Sequence, residues 1–260
     1  MQTGICHLSL VPLRANPTSK SEQVSQLLFG ETYDILEQIA DWVKITTHLD
    51  NYTGWIADNQ LCIWDEKDRS PRLVHRFPCL IAIDEISNVP LHLPPGSMLH
   101  QVELHDDNRA TFMVNKHKYS AQLTEADLGI FDLNQMSNFA SQFLNAPYLW
   151  GGRTMWGIDC SGLTQLLYSS LGIKLPRDAY QQAELGTHIA FLNESRLGDL
   201  AFFDNEEGRI THVGLLIDSG EIIHASGKVR RDVIDSYGIF NEEKGAHTHK
   251  LRTIKRYINY

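Results

Sequence analysis

The segment Trp150–Gly172 constrains the fold most strongly, because it joins a glycine-rich loop to a helix that begins at a cysteine. Leucines recur at helical spacing after Cys160, and this spacing predicts a helix of about three turns that ends near Gly172. Asp159 then lies at or beside the N-cap. A cysteine in the first turn faces free backbone N–H groups and the positive end of the helix dipole, which favour the thiolate. The segment predicts an activated nucleophile; a small buried hydrophobic residue is the alternative.

A base for this thiol is expected from two apolar segments further along the chain. The segments Thr211–Ile217 and Glu221–Ala225 are typical of adjacent strands, and the short turn Asp218–Gly220 between them predicts antiparallel pairing. His212 begins the first strand and His224 ends the second, so the two rings are expected to lie close together. This pattern predicts a Cys–His pair that a second polar ring orients. Because the chain has 12 histidines, a chance pair is the alternative.

Helices are expected to precede this sheet. The segment DLNQMSNFASQFLNA begins with a capping residue, Asp132, and places its apolar residues on one helical face. Thr253–Ile258 is predicted to be a last strand, and the HTH sequence at 247–249 is interpreted as a polar loop. We therefore predict an α+β domain at residues 126–260, with helices packed on an antiparallel sheet. No cluster of residues has the spacing of metal ligands, so neither a metal nor another cofactor is expected.

The first 125 residues predict β structure in two parts. Residues 1–64 contain short segments rich in β-branched and aromatic residues, which are separated by turn signals and predict a small β-barrel. Its expected strands are Gly4–Pro12, Leu27–Phe29, Thr32–Gln38, Trp42–Thr47 and Gly54–Ile56. Residues 65–125 open with the charged run DEKDRSPR, which we interpret as a linker or exposed turn. The PLR sequence of the first part is echoed there by PLH before a Pro-Pro-Gly turn, which predicts a second barrel of similar kind.

Composition excludes several classes of protein. The net charge of -9 argues against a general nucleic-acid binder, because nothing in the chain would release phosphate counterions. No run of about 18 apolar residues predicts a membrane span, and the first residues do not have the pattern of a secretory signal. The four cysteines are scattered without a CxxC pair, so they are expected to be reduced thiols in a cytoplasmic protein.

Two sets of motifs resemble known families. The segment FGETYDILEQIADWVKITTHLDNYTGWIADNQL resembles a bacterial SH3 (SH3b) domain, and by extension residues 65–125 are expected to be SH3-like. The segment PYLWGGRTMWGIDCSGLTQLLYSSLGIKLPRDAYQQ, followed by RLGDLAFF, ITHVGLLI and IIHASG, resembles the NlpC/P60 family of papain-like cysteine peptidases. Together they are similar to the YkfC-like γ-D-glutamyl-L-diamino acid endopeptidases, which act on cell-wall peptides.

The NlpC/P60 resemblance implies a role for four residues in catalysis. It places Cys160 at the position of the nucleophile, His212 at that of the base and His224 at that of the orienting third residue. Tyr148 in PYLWGG matches the tyrosine that contributes to the oxyanion hole beside the backbone N–H of Cys160.

The same resemblance implies five substrate-binding residues. Asp159 and Ser161 match the D-Glu subsite, although Asp159 is also the expected N-cap. Asp178 in PRDAYQQ matches the carboxylate that holds the free amine of an N-terminal L-Ala, although Ala179 replaces a serine that often follows it. Glu22 and Tyr52 resemble SH3b residues that close this end of the pocket; an exposed loop charge and a turn aromatic are the alternatives.

The implied function is hydrolysis of the bond between γ-D-Glu and meso-diaminopimelate or L-Lys in murein peptides with a free N-terminal L-Ala. The expected setting is the recycling of cell-wall peptides in the cytoplasm. Two alternatives stay open at this point. One is an amidase or acyltransferase on the same fold, and the other is a peptidoglycan-binding module that has lost its activity.

Overall fold

The chain forms two compact units, Met1–Ile130 and Phe131–Tyr260, in the computed structural model, which describes residues 2–64 and 71–258. The charged residues 65–70 of the predicted linker lie outside the described residues. Across residues 2–64 and 71–258, none of the helices has the length and the apolar character needed to span a membrane.

The first 64 residues build a six-stranded antiparallel sheet in the order β1-β4-β5-β6-β2-β3. Its strands are β1 (Gln2–Ile5), β2 (Leu10–Arg14), β3 (Gln23–Leu28), β4 (Thr32–Ile39), β5 (Trp42–Thr47) and β6 (Thr53–Ala57). The predicted single strand Gly4–Pro12 is wrong, because the chain bends at residues 8–9 and changes partner from β4 to β3. The other four predicted strands of this part are confirmed, with bounds that differ by a few residues.

Residues 71–130 of the first unit form further β structure. Its strands are β7 (Arg72–Leu73), β8 (Leu80–Asp84), β9 (Pro90–Leu93), β10 (Met98–Leu99), β11 (Glu103–Leu104), β12 (Arg109–Val114) and β13 (His117–Gln122). Five of them form the sheet β11-β12-β13-β8-β9, while β7 pairs with β10. Ile5 and Phe29 from the preceding sheet are fully buried in the same apolar cluster as Phe112. The two β parts therefore share a core.

The second unit places three helices before and beside a seven-stranded antiparallel sheet. The helices are α1 (Leu133–Gln142), α2 (Cys160–Ser170) and α3 (Ala179–Ala183). The strands are β14 (Arg153–Thr154), β15 (Gly157–Ile158), β16 (Thr187–Ile189), β17 (Leu200–Asp204), β18 (Ile210–Leu216), β19 (Glu221–Ser226), β20 (Lys228–Ile234), β21 (Gly238–Asn241) and β22 (Ala246–Arg256). The large sheet has the order β16-β22-β17-β18-β19-β20-β21, and β22 also pairs with β21.

The local predictions for this unit are largely confirmed. Asp132 caps α1 and Asp159 caps α2, each by accepting a backbone N–H in the first turn. Gly172 follows α2 with a positive φ of 73°, which suits a glycine after a helix C-terminus. The strands β18 and β19 pair antiparallel across the predicted turn. All of α2 except Ser169 is buried, which makes it the central helix of the unit.

The interpretation of residues 247–249 as a polar loop is wrong. His247 and His249 lie in β22, where they pair with Phe240 and Ile239 of β21. The first half of β22 pairs with β21, and its second half pairs with β17. Pairing with β21 holds the polar start of the strand in the sheet. This strand brings His249 into the region of the predicted histidine pair.

Candidate active site

Cys160 lies where the start of α2 meets strand β18. Its thiol is buried, and the sulfur accepts backbone N–H groups from Val213 and from Ser161. Val213 directly follows His212, so the thiol lies against the part of β18 that carries the predicted base. The N-cap Asp159 fixes the first turn of the helix, because its Oδ1 accepts the Gly162 N–H at 2.7 Å. The predicted cap is confirmed, and the role of Cys160 as the nucleophile stays a prediction.

The two predicted histidines are in contact and form the start of a longer buried line. His212 Nε2 lies 2.8 Å from His224 Nδ1, and His224 Nε2 lies 3.0 Å from Oδ2 of Asp232. Arg230 completes the line, because its Nη2 donates to Asp232 Oδ1 at 2.9 Å. His224 is only 1% exposed. The line crosses three neighbouring strands, β18, β19 and β20.

Gly214 explains how the two rings can approach each other. It is the direct partner of His224 across β18 and β19, which makes His212 the diagonal neighbour on the same face. A Cβ on Gly214 would lie 2.9 Å from the Cβ of His224 and 2.7 Å from Ile222 Cδ1, both closer than side chains tolerate. The glycine in the THVG sequence therefore leaves the space that the His224 side chain occupies.

The environment favours a neutral thiol and a neutral imidazole in the resting protein. Burial, together with the nearby Asp159 carboxylate, raises the pKa of Cys160 to about 12. Burial also lowers the pKa of His212 well below its usual value, with His224 and His249 acting in the same direction. The predicted activation of Cys160 by the helix dipole is wrong for the resting state, because the cost of burying a charge exceeds the stabilisation from helix N–H groups.

Tyr148 is held close to Cys160 by backbone pairing. Its N–H donates to Gly227 O at 3.0 Å, and it bridges Ile158, which lies two residues before Cys160. Burial raises the pKa of the Tyr148 hydroxyl, and the charges of Cys160 and Asp159 raise it further. The phenol therefore stays protonated and can donate a hydrogen bond next to the thiol.

Asp159 and Ser161 are joined by a residue to which the sequence reading gave no role. Arg177 is 1% exposed, and its Nη2 lies 2.6 Å from Asp159 Oδ2. Its Nη1 donates to Asp159 Oδ1 at 3.0 Å and to Ser161 Oγ at 2.9 Å. Gly151 N–H also donates to Asp159 Oδ2 at 2.8 Å. The side chains flanking the nucleophile thus form a buried cluster, and their contact with substrate stays a prediction.

Asp178 is the N-cap residue of α3, directly after Arg177, and is half-buried. The side chain of Gln182 fastens α3 to the start of α2, because it donates to Ser161 O at 3.1 Å and accepts from Thr164 Oγ1 at 2.8 Å. Asp178 lies one helical turn before Gln182, at the start of α3. The predicted role of Asp178 in binding an amine stays a prediction.

Glu22 and Tyr52 belong to the first unit. Glu22 is exposed at the residue before β3, and Tyr52 is half-buried just before β6, where it packs against the core of the first sheet. Their predicted substrate contacts stay predictions.

Sequence reasoning missed two further residues beside the histidine pair. The ring of His249 stacks on His212 with 4.2 Å between centroids and 26° between planes, and Asp232 binds His224. The position of Asp232 could have been predicted from the sequence. If a hairpin turns at Gly227, His224 pairs with Arg230 and Asp232 is the diagonal neighbour of His224. No local signal indicates His249, since it reaches the site through a distant strand. In the part of the chain that the structure describes, no group of three or more potential ligands is arranged to hold a metal ion.

Comparisons with known proteins agree with this geometry. The model of the NlpC/P60 family matches residues 145–246, and that of the bacterial dipeptidyl-peptidase Sh3 domain matches residues 13–61. A Bacillus cereus protein named gamma-D-glutamyl-L-lysine dipeptidyl-peptidase is 26% identical over 257 residues, and the match covers 88% of this chain and 76% of that protein. A Haemophilus influenzae protein named probable endopeptidase NlpC homolog is 34% identical over 146 residues, which cover 51% of this chain and 74% of that protein.

A solved structure shows the same fold. The crystal structure of an NlpC/P60 family protein from Bacillus cereus superposes with a TM-score of 0.84 at 20% identity, and covers 99% of this chain and 100% of that chain. The architecture of a β-rich first unit and a helix-and-sheet second unit is therefore found in a known protein.

Proposed function

We propose that this chain, which belongs to the NlpC/P60 family and is a peptidase, hydrolyses the amide between γ-D-Glu and the next residue in murein peptides that begin with L-Ala. The observation that carries the proposal is the buried arrangement of Cys160, His212 and His224, which supplies a nucleophile, a base and an orienting ring. The name of the Bacillus cereus relative supports the γ-D-glutamyl bond as the target. The residue after D-Glu is a diamino acid, either meso-diaminopimelate or L-Lys.

The first half of the proposed reaction forms a thioester. The Cys160 sulfur attacks the γ-carbonyl carbon of D-Glu while its proton passes to Nδ1 of His212, since Nε2 of that ring is engaged with His224. The Tyr148 hydroxyl and the Cys160 N–H donate to the oxygen that becomes negative. Each such donor is worth about 3 kcal/mol in other oxyanion holes. His212 then protonates the amine of the diamino acid as the C–N bond breaks.

The second half releases the enzyme. Neutral His212 accepts a proton from a water molecule as the water oxygen attacks the thioester carbon. The C–S bond breaks, and Cys160 takes the proton back from His212. One water is consumed, and the products are L-Ala-D-Glu and a peptide or amino acid with a free amine.

Specificity in this proposal depends on residues of the second unit. Asp178 binds the ammonium of L-Ala through a charge-assisted hydrogen bond. Asp159 and Ser161 belong to the D-Glu subsite, where they bind its main-chain amide and α-carboxylate. Cleavage would then require a free N-terminal amine on the peptide. An acetylated amine has no positive charge for Asp178 to bind, and the acetyl group adds bulk.

We place this activity in the recycling of released cell-wall peptides in the cytoplasm. A free L-Ala amine marks a peptide that is no longer attached through that amine. The proposed preference for this end group therefore fits released peptides better than the intact wall.

The test is mass spectrometry of products from L-Ala-γ-D-Glu-diaminopimelate, its L-Lys counterpart and the N-acetylated form of each. Wild type should release L-Ala-D-Glu from free-amine peptides, and Cys160→Ala should release none. Cys79→Ala, which removes a half-buried thiol of the first unit, is the matched control and should retain full activity. Equal cleavage of acetylated peptides would overturn the role of Asp178, and failure of wild type on every peptide would overturn the proposed substrate.

A further inference from the structure

Asp232 and Arg230 lie behind the histidine pair, on the strand next to His224. The carboxylate of Asp232 is buried and has two polar neighbours: His224 Nε2 lies 3.0 Å from Oδ2, and Arg230 Nη2 donates to Oδ1 at 2.9 Å. Arg230 Nε also lies 2.7 Å from Oδ2, so the guanidinium is held against both oxygens. A buried carboxylate with these partners is an acceptor for both of them.

Asp232 determines where the protons of the two rings lie. Burial raises the pKa of Asp232, but hydrogen bonds from His224 and Arg230 outweigh it and leave the pKa below its usual value. As an ionised acceptor, Asp232 requires a proton on Nε2 of His224. With its proton on Nε2, the His224 ring offers the lone pair of Nδ1, which accepts Nε2–H of His212 across 2.8 Å. His212 is left with a lone pair on Nδ1, the form needed in a general base.

Arg230 holds the Asp232 carboxylate in this orientation. Its Nη2 donates to Oδ1 at 2.9 Å, and Oδ2 faces His224 Nε2 at 3.0 Å. Without this donor the carboxylate is free to turn away from His224, and the ring loses the acceptor that keeps its proton on Nε2.

We propose that Asp232 is a positioning residue that keeps both histidines in their Nε2–H tautomers, and that Arg230 holds the Asp232 carboxylate against His224. The inference rests on the proposed roles of Cys160 and His212. Asp232 acts on the reaction through the rings of His224 and His212. Its effect is therefore measured as the tautomer of each ring and as kcat.

The decisive variant is Asp232→Asn. An amide oxygen facing Arg230 Nη2 turns the NH₂ group toward His224 Nε2, which then has to be the unprotonated nitrogen. The protons of His224 and His212 both move to Nδ1, and the base is lost. We expect kcat to fall by about 10- to 100-fold and KM to change by less than about twofold. The range for kcat is the one found in other proteins when the hydrogen-bond partner of a metal-binding histidine is removed. The matched control is Asp235→Asn, which changes a partly exposed carboxylate 2.9 Å from His247.

Nitrogen-15 NMR of the histidine rings gives a readout that a purely structural role would not change. Wild type should show a protonated Nε2 and an unprotonated Nδ1 for His212 and His224, and Asp232→Asn should reverse both. Asp235→Asn should leave both rings as in wild type. The spectra are recorded without substrate, so a wrong substrate proposal leaves this result intact. Unchanged tautomers in a folded Asp232→Asn protein that still cleaves the peptide would overturn the inference and leave the proposed function standing.

The second test uses Arg230 and does not depend on the Asp232 variant folding. Arg230→Met removes the donor to Oδ1 of Asp232, so the nitrogen-15 spectra should show part of the His224 and His212 protons on Nδ1, and kcat should fall. Arg230→Lys should restore part of both effects, since it retains a donor. Arg231→Met is the control, because Arg231 is the adjacent arginine and pairs with Glu221 at 3.3 Å on the surface. Spectra and kcat of Arg230→Met that match those of wild type would overturn the role of Arg230.

Discussion

Replacing Arg177 by methionine tests the buried cluster beside the nucleophile. Methionine fills much of the same space, but it removes the guanidinium that lies 2.6 Å from Asp159 Oδ2 and that donates to Ser161 Oγ at 2.9 Å. Asp159 is 5% exposed and stays buried. It retains the N–H groups of Gly162 at 2.7 Å and Gly151 at 2.8 Å, and the Ser161 hydroxyl, which donates to Oδ1 at 3.3 Å. The variant therefore leaves a buried carboxylate without its cation.

The magnitude follows from the cost of an uncompensated buried charge. Removing one partner of a buried ion pair typically costs about 3–5 kcal/mol. The two remaining N–H donors favour the lower end, so we expect a loss of about 3 kcal/mol in the free energy of unfolding. The second unit has about 130 residues, and an unfolding entropy of about 2.1 cal/mol/K per residue gives about 0.27 kcal/mol/K. The melting temperature of this unit should fall by about 11 °C.

Differential scanning calorimetry measures this shift, and Arg209→Met is the control. Arg209 pairs with Glu207 at 3.4 Å on the surface, and its loss should change the melting temperature by less than about 2 °C. The double variant Arg177→Met, Asp159→Asn should recover part of the loss, because asparagine still caps α2 without a charge. An Arg177→Met protein that melts within about 3 °C of wild type would refute the reasoning, as would a double variant less stable than Arg177→Met.

Three further predictions concern the nucleophile and its neighbours. Tyr148→Phe should lower kcat about 100-fold with little change in KM, whereas the exposed Tyr237→Phe should have no effect in the same peptide assay. Burial and Asp159 raise the pKa of Cys160 to about 12. The rate of iodoacetamide labelling without substrate should therefore rise about tenfold per pH unit between about pH 7 and 10. A rate that levels off below about pH 8.5 would contradict this prediction. Burial lowers the pKa of His249 from 6.5 to about 4, so the unfolded chain binds more protons than the folded one in that interval, and stability falls as pH drops through it. His249→Phe, which keeps a stacked ring, should flatten this fall in melting temperature; an unchanged pH dependence would contradict the assignment.

The parts of the site that follow from local sequence are those that were predicted. Helical spacing after Cys160 and a carboxylate before it are sufficient to predict α2 and its cap. A short turn between two apolar segments likewise predicts the pairing that brings His212 and His224 together. The resemblance to the NlpC/P60 and SH3b families is confirmed by both family matches. These patterns are contained within a few residues, so neighbouring side chains determine them.

The parts that were missed depend on contacts between distant residues or on burial. Arg177 meets Asp159 only after α2 has packed, and His249 reaches His212 because β22 pairs with both β17 and β21. The direction of the Cys160 pKa shift was also wrong, because dipole arguments use the local helix and burial depends on the whole unit. Asp232 is the intermediate case, because hairpin pairing outward from Gly227 is a local pattern and places Asp232 diagonal to His224.

The line from His212 through His224 to Asp232 runs across the strands, one residue per strand. Each step joins diagonal neighbours, so the line exists in one register of β18, β19 and β20 only. A slip of a single residue turns every side chain of a strand to the opposite face while the main-chain ladder can re-form. Such a sheet would be compact and fully hydrogen-bonded, and it would have no base for its thiol. Specific activity in this protein therefore reports the fraction of molecules in which the three strands have the correct register. Spectroscopy of secondary structure would include folded molecules with the wrong register as well.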